Sequence, residues 1–263
     1  MTRLYGWKTV SYSRKVTYGM FRIPQTKASF SIILDDSNQI IYSGLTRLNS
    51  LGLVGLPQGE DGLYTVTYFD DPSCLIIFED IFRNFCYPII NFIGDVKTII
   101  DIGANIGFST AYFRFHYPEA DIHAFEPDQV TCLILKENVR RLQRKCSVFP
   151  MTLYSEDLIR LNYPLATVAD QSAVTNLKQA DKFLRENGVN TIDILKIDSP
   201  SYELGILQKL VVDNNFGIKI IYIKFYDDIT RRRIDQILPQ DYVLWWSAVN
   251  ESKGFLCYVL LKS

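Results

Sequence analysis

Three carboxylates in this chain stand where an apolar run gives way to a turn. They are Asp101 in "IIDIGANIGFST", Glu126 in "DIHAFEPD" and Asp198 in "DILKIDSPSYELGIL". In a parallel α/β sheet the carboxyl ends of the strands border the crevice where ligands bind. Gly103 and Gly107 let the backbone turn tightly after Asp101 and approach a ligand before a helix begins. The dinucleotide fingerprint G-x-G-x-x-G would need glycines at positions 105 and 108, which are Asn105 and Phe108. A Gly-Lys-Ser/Thr phosphate loop is absent too, so nothing marks a pyrophosphate cradle. Glu126 can accept hydrogen bonds from both ribose hydroxyls of a nucleoside in the adjacent crevice. A ribose-binding acid beside a loop without a phosphate site suits a nucleoside with a cationic, phosphate-free tail. S-adenosylmethionine is such a ligand; the plainer alternative is a glycine turn and a strand-end acid in another kind of α/β protein.

Methyl transfer from a sulfonium is an in-line displacement that needs an aligned nucleophile at about 3 Å, so positioning supplies much of the rate. An alcohol acceptor also needs a base, whereas a carboxylate does not. Asp198 is the residue expected to orient or deprotonate the acceptor. Its structural alternative is a strand-end carboxylate capping the next helix. Glu203 falls inside that helix and reads as a residue of its face. His116, at a helix end, suits the dipole as a cation, and His123 lies inside a strand; both read as structural. No grouping of acids, His or Cys suggests a metal.

These residues need a scaffold. From Val96 onward strands alternate with helices, the mark of a doubly wound parallel sheet. "VKTIIDIG", "DIHAFEP", "SVFPMTLY", "TIDILKID" and "IKIIYIKFYD" are its strands. Pro150 points to an edge position for the third, because proline cannot donate to a ladder. "FSTAYFRFHYPE", "DQVTCLILKENVRRLQRK" and "KQADKFLRENG" read as helices, with Asp128 as a cap for the second and Gly188 ending the third. "DYVLWWSAV" and "FLCYVLLKS", joined by "NESKG", must be antiparallel. Residues 1–72 read as β-rich, with "FSIILDDSNQIIYSG" as two strands about a turn and Gly44 to Gly62 as loop. A helix is expected after Pro72. The segment "SEDLIRLNYPLATVADQSAVTNL" offers no assignment.

The chain has 263 residues and a net charge of −1, which speaks against nucleic acid as its main partner. "RRR" at Arg231 to Arg233 reads as a solvated helix face. Five scattered cysteines without a C-x-x-C pair fit reduced thiols. "MTRLYGWKTVSYS" lacks a signal-peptide core, and Glu79, Asp80 and Arg83 interrupt the longest apolar region. A cytoplasmic protein without a membrane span is the expectation; oligomeric state is not readable.

"IIDIGANIGFST…FEPD…ILKID…E" resembles class I S-adenosylmethionine-dependent methyltransferases, and among them the FkbM family. The resemblance covers roughly Glu79 to the C-terminus. It implies an α/β, Rossmann-like fold: a mainly parallel seven-stranded sheet with a C-terminal antiparallel hairpin, here as residues 73–263 behind a β-rich N-terminal cap of residues 1–72. It implies that Asp101, Gly103, Ala104, Asn105 and Gly107 line the methionine part of S-adenosylmethionine, and that Glu126, followed by Pro127, holds the ribose. "FEDIFRNFCY" is similar to a segment ahead of the family's loop, which would bring Glu79 and Tyr87 near the cofactor. Adenine would lie near Tyr154 and Ser155. Family members usually read L-K-I-D-x-E-G-x-E where this chain has Leu195 to Glu203, with Pro200-Ser201 replacing the inner Glu-Gly. Lys224 stands where strand five commonly ends in an acid.

The activity implied is O-methylation of a hydroxyl or carboxyl on a small molecule, sugar, or peptide or polyketide natural product, leaving S-adenosylhomocysteine. The N-terminal aromatics Trp7, Tyr12, Tyr18 and Phe21 could wall the substrate site or simply pack. Two other readings stand beside it. Ser199-Pro200-Ser201-Tyr202 resembles the loop of amino methyltransferases and would imply N-methylation. The altered Pro200-Ser201 and Lys224 would suit a cofactor-binding protein without activity.

Overall fold

The computed structural model describes residues 9–11, 17–27, 31–34, 40–44, 48–54, 63–69, 72–82, 84–140, 142, 146–155 and 177–261, with side chains from Val66 onward except Pro72 and Leu75. The unassigned segment 156–176, Trp7 and Tyr12, and the side chains of Tyr18 and Phe21 lie outside the described set. The chain forms two compact units. One comprises Met1–Phe85, Asn105–Pro118 and Gln129–Cys146; the other comprises Cys86–Ala104, Glu119–Asp128 and Ser147–Ser263.

In the first unit, β1 (Thr9–Ser11), β2 (Thr17–Lys27), β5 (Leu48–Val54) and β6 (Leu63–Phe69) form a four-stranded sheet in that order. The pair β3 (Ser31–Leu34) and β4 (Ile40–Gly44) makes the hairpin expected around Asp35-Asp36-Ser37-Asn38. Strand β5 corrects the loop expected from Gly44 to Gly62. Its Gly52 weakens a strand signal locally, but pairing to β2 on one side and β6 on the other supplies the missing stabilisation. Helices α1 (Pro72–Phe82), α2 (Phe108–His116) and α3 (Gln129–Arg140) belong to the same unit. Phe78 stacks on Phe82 at 4.8 Å, and both meet Phe108 edge-on. The expected cationic cap at the end of α2 is not His116, whose pKa burial pushes down to about 4, leaving it neutral at pH 7. Arg114 serves instead, donating from Nη1 to the Pro118 carbonyl at 2.7 Å.

The second unit carries the seven-stranded sheet. Its strands are β7 (Thr98–Ile102), β8 (Asp121–Phe125), β9 (Cys146–Phe149), β12 (Ile194–Ile197), β13 (Ile220–Phe225), β14 (Tyr242–Asn250) and β15 (Lys253–Leu260). Their order is β14-β15-β13-β12-β7-β8-β9. Strands β8, β7, β12 and β13 pair in parallel, and β15 and β14 close the sheet antiparallel, as expected for the terminal hairpin. The near-continuous apolar runs of β7 and β12 are buried on both faces. Ile100, Ile102, Leu195, Ile197, Ile221 and Ile223 share one core with Leu184 of α4 (Ala180–Glu186), with Leu204 and Leu207 of α5 (Glu203–Leu207), and with Leu210 of the wider turn that continues it to Asp213.

Pro150 has a larger effect than an edge position. β9 is the edge strand, but it stops at Phe149, and the chain resumes as β10 (Thr152–Tyr154) to pair in parallel with β11 (Leu177–Gln179) outside the main sheet. Helix α6 (Asp228–Ile237) is capped by Asp227, which accepts from the Thr230 N–H at 2.8 Å. All five cysteines are free thiols. Among the described residues no helix is long and apolar enough to cross a membrane.

Candidate functional site

The loop after β7 owes its form to three left-handed residues in alternation: Gly103 (φ 72°), Asn105 (φ 52°) and Gly107 (φ 99°). Asn105 tolerates this conformation better than most residues, and its Oδ1 accepts the N–H of Ile106 at 2.7 Å. It therefore does a glycine's work, which explains a loop that misses the dinucleotide spacing. The N–H groups of Gly103 and Ala104 both donate to the Phe125 carbonyl, at 3.0 and 2.9 Å, tying the loop to the end of β8. A Cβ on Gly103 would lie 1.9 Å from the Asp198 carbonyl oxygen. Only glycine fits there.

Asp101 is fully buried in β7, opposite Lys196 of β12. Lys196, also buried, sets its Nζ 3.0 Å from Asp101 Oδ1 and donates to the Gly103 carbonyl at 2.5 Å. One ammonium thus holds both the strand-end acid and the first residue of the loop. Sequence reasoning missed Lys196, although a lysine inside the apolar run "ILKI" was a signal, because a lysine buried on a sheet face needs an acid.

Glu126 follows β8 directly. It is buried, its N–H donates to the Phe149 carbonyl at 3.1 Å, and its Oε1 accepts from the Asp128 N–H at 3.0 Å across half-buried Pro127. Strands β8, β7 and β12 are neighbours, so Glu126, Asp101 and Asp198 end or follow three adjacent strands. Two of the three stand beside ammoniums, Asp101 at Lys196 and Asp198 at Lys224.

Asp198 is held by its N–H, which donates to the Ile102 carbonyl at 3.0 Å. The β12–β13 register continues to bring it beside Lys224, whose Nζ is 3.5 Å from Asp198 Oδ2. The Tyr226 hydroxyl donates to Asp198 Oδ1. Tyr226 stays protonated: burial, then Asp198 and Glu203, push its pKa far up. Lys224 also lies 5.3 Å from the Tyr226 ring centre and 5.2 Å from that of Phe255. Tyr226 was not singled out in the sequence, since its partner emerges only from the strand register.

Beyond Asp198 the chain turns with Ser201 at φ 73°, a left-handed residue in the place of the family's glycine. Ser199 is buried, with its hydroxyl 3.2 Å from that of Thr152, while Pro200 is exposed and Tyr202 half-buried. Glu203 lies in the helix expected after Asp198, as its first residue. α5 is short and buried throughout, so Glu203 is 2 % exposed. Burial raises its pKa to about 8, opposed by backbone hydrogen bonds and reinforced by Asp198 and Asp227. It is a neutral acid at pH 7.

Tyr87 joins this group. It is buried edge-on to Tyr222 (5.3 Å) and Phe255 (6.0 Å), and burial followed by Cys86, Asp198, Asp101 and Tyr226 raises its pKa. Glu79 is an exposed residue of α1 in the other unit, to which Asn105 and Gly107 also belong. Tyr154 ends β10 and is half-buried, and Ser155 follows it, buried. Among the described residues no group of His, Cys, Asp and Glu could hold a metal.

A mainly parallel sheet finished by an antiparallel hairpin, with a glycine loop after β7 and a carboxylate after β8, defines a class I S-adenosylmethionine-dependent methyltransferase fold. The chain belongs to the FkbM methyltransferase family, whose domain model matches residues 101–251, and S-adenosylmethionine is that family's cofactor. It is 29% identical over 174 residues to "Methyltransferase sdnD" of Sordaria araneosa, covering 50% of this chain and 67% of the relative. It is 28% identical over 165 residues to "Methyltransferase 1" of Beauveria bassiana (strain ARSEF 2860), covering 51% and 66%. Among solved structures, Aeropyrum pernix fibrillarin with natively bound S-adenosyl-L-methionine is similar at a TM-score of 0.48 and 11% identity, over 96% of this chain and 99% of that one.

Proposed function

We propose that the protein transfers a methyl group from S-adenosylmethionine to an oxygen, hydroxyl or carboxyl, of a small molecule, sugar, or peptide or polyketide natural product. The observation that carries this reading is Asp198, fixed at the end of β12 against Gly103 and flanked by Tyr226 and Lys224. S-adenosylmethionine, when bound, supplies an electrophilic methyl on a sulfonium. Glu126 accepts the ribose hydroxyls, with Pro127 beside it. Asp101, Gly103, Ala104, Asn105 and Gly107 line the methionine part, and Tyr154 and Ser155 border the adenine. Tyr87 closes the inner wall, and Glu79 is carried as a further contact from the family segment.

Asp198 orients the acceptor and takes the proton of a hydroxyl, the Tyr226 hydroxyl fixes its rotamer, and Lys224 offers a charge to an anionic acceptor. Ser199, Pro200, Ser201 and Tyr202 form the rim that the acceptor meets.

Two measurements test the reading. Calorimetry with S-adenosylmethionine should detect binding that Glu126→Ala weakens by at least tenfold, the loss of about one charge-assisted hydrogen bond. Asp198→Asn should keep that affinity and lose turnover. Absence of binding to the folded protein would remove the proposal, and full turnover by the Asp198 variant would remove Asp198 from its role.

A further inference from the structure

Asn138 is fully buried in α3, where an amide must find partners for its donors and its acceptor. Its Oδ1 accepts the N–H of Thr67 at 2.8 Å. Its Nδ2 donates to the Thr67 carbonyl at 2.8 Å and to the Ile106 carbonyl at 2.7 Å. Both amide hydrogens are used, and the arrangement fixes which atom is oxygen and which is nitrogen.

Thr67 lies opposite Ser50 in β6, the end strand of the N-terminal sheet. Its main-chain N–H and C=O meet an amide that pairs with them as the next strand's peptide would. The third bond reaches Ile106, between the two left-handed residues Asn105 and Gly107. Leu135, one turn earlier on α3, is the side chain that a Cβ on Gly107 would meet at 2.9 Å. One face of α3 therefore supports the second half of the glycine loop, and a single amide on that face is shared with the edge of a β-sheet.

We propose that Asn138 is a positioning residue that links the glycine loop to β6, so that cofactor binding tightens the edge of the N-terminal sheet. The inference rests on S-adenosylmethionine binding at that loop. A ligand that orders the Ile106 peptide strengthens its bond to Nδ2, and the same amide cannot then turn away from Thr67. By linkage, a strand that holds the amide favours the liganded loop to the same degree.

The test is hydrogen–deuterium exchange on the whole chain with and without S-adenosylhomocysteine, paired with calorimetry. In the natural protein the ligand should slow exchange in peptides covering residues 63–69. Asn138→Asp keeps an acceptor for the Thr67 N–H but loses both donors. It should bind S-adenosylhomocysteine about tenfold more weakly, the worth of about one buried hydrogen bond, and should abolish the ligand-dependent slowing. If the natural protein binds the ligand without slowing in 63–69, the link is wrong while the cofactor reading stands. The same holds if the variant binds and slows like the natural protein. If the natural protein does not bind the ligand, the cofactor reading falls and takes the link with it. A variant that fails to fold leaves the exchange of the natural protein to decide.

Discussion

Replacing Glu203 by glutamine should make the protein more stable at pH 7 and flatten its pH dependence. Burial raises the carboxyl from its ordinary 4.5 to about 8 in the folded state. The folded protein therefore binds a proton that the unfolded chain releases between those values. The neutral acid's contribution is present in full below pH 4.5 and is lost as pH rises towards 8. A tenfold difference in proton affinity is worth about 1.4 kcal/mol, so roughly 3 kcal/mol has gone by pH 7 and nearly 5 kcal/mol by pH 8 and above. Glutamine is similar in shape and does not titrate. Urea unfolding of both proteins at pH 5, 6, 7 and 8 gives the stabilities. Groups common to both cancel in the difference, which should change by about 1.4 kcal/mol per pH unit from pH 5 to 7 and favour the variant at the upper end. At pH 5 the two should lie within about 1 kcal/mol of one another, since the variant exchanges one neutral hydrogen-bonding group for another. Parallel curves across that window would refute the argument, because they would mean that Glu203 ionises in the fold as it does in water.

Lys196→Met should destabilise the fold by about 3–5 kcal/mol by leaving the buried Asp101 without its cation. Adding Asp101→Leu should recover most of that stability in the same urea assay but not S-adenosylmethionine affinity; recovery of affinity would show that the pair only packs. Gly103→Ala should lower stability by more than about 2 kcal/mol, since alanine is strained at that φ and its Cβ would strike the Asp198 carbonyl. A melting midpoint equal to that of the natural protein would refute so close an approach of β12 to the loop.

Much of the fold was legible because its signals are local. The apolar runs of β7 and β12, the short "NESKG" connection and the two glycines of the loop each carry their meaning within a few residues. Pro150 marked an edge correctly, yet the departure of β10 to pair with β11 depends on a partner about 25 residues away. β5 was misread as loop because its stability comes from two neighbouring strands and not from its own glycine-bearing composition. At the site, the strand-end acids were visible as single residues. What they bond to was not. Lys196 opposite Asp101 and Lys224 beside Asp198 follow from the registers of β12 with β7 and β13, which no short window contains. The burial of Glu203 was hidden for a related reason: a five-residue helix buried on every side has no outer face, and helical periodicity alone cannot reveal that.

The bond from Lys196 to Gly103 also bears on the order in which the chain is made. The two residues are 93 positions apart. At ordinary rates of synthesis, roughly 5–20 s separate the appearance of the loop from that of the lysine that holds it. Throughout that interval the loop lacks its ammonium, and Asp101 lacks the cation it is buried against. A nascent chain ending before β12 therefore carries the motif without the site, and a ligand that needs the finished loop can act on folding only after Asp198 has emerged.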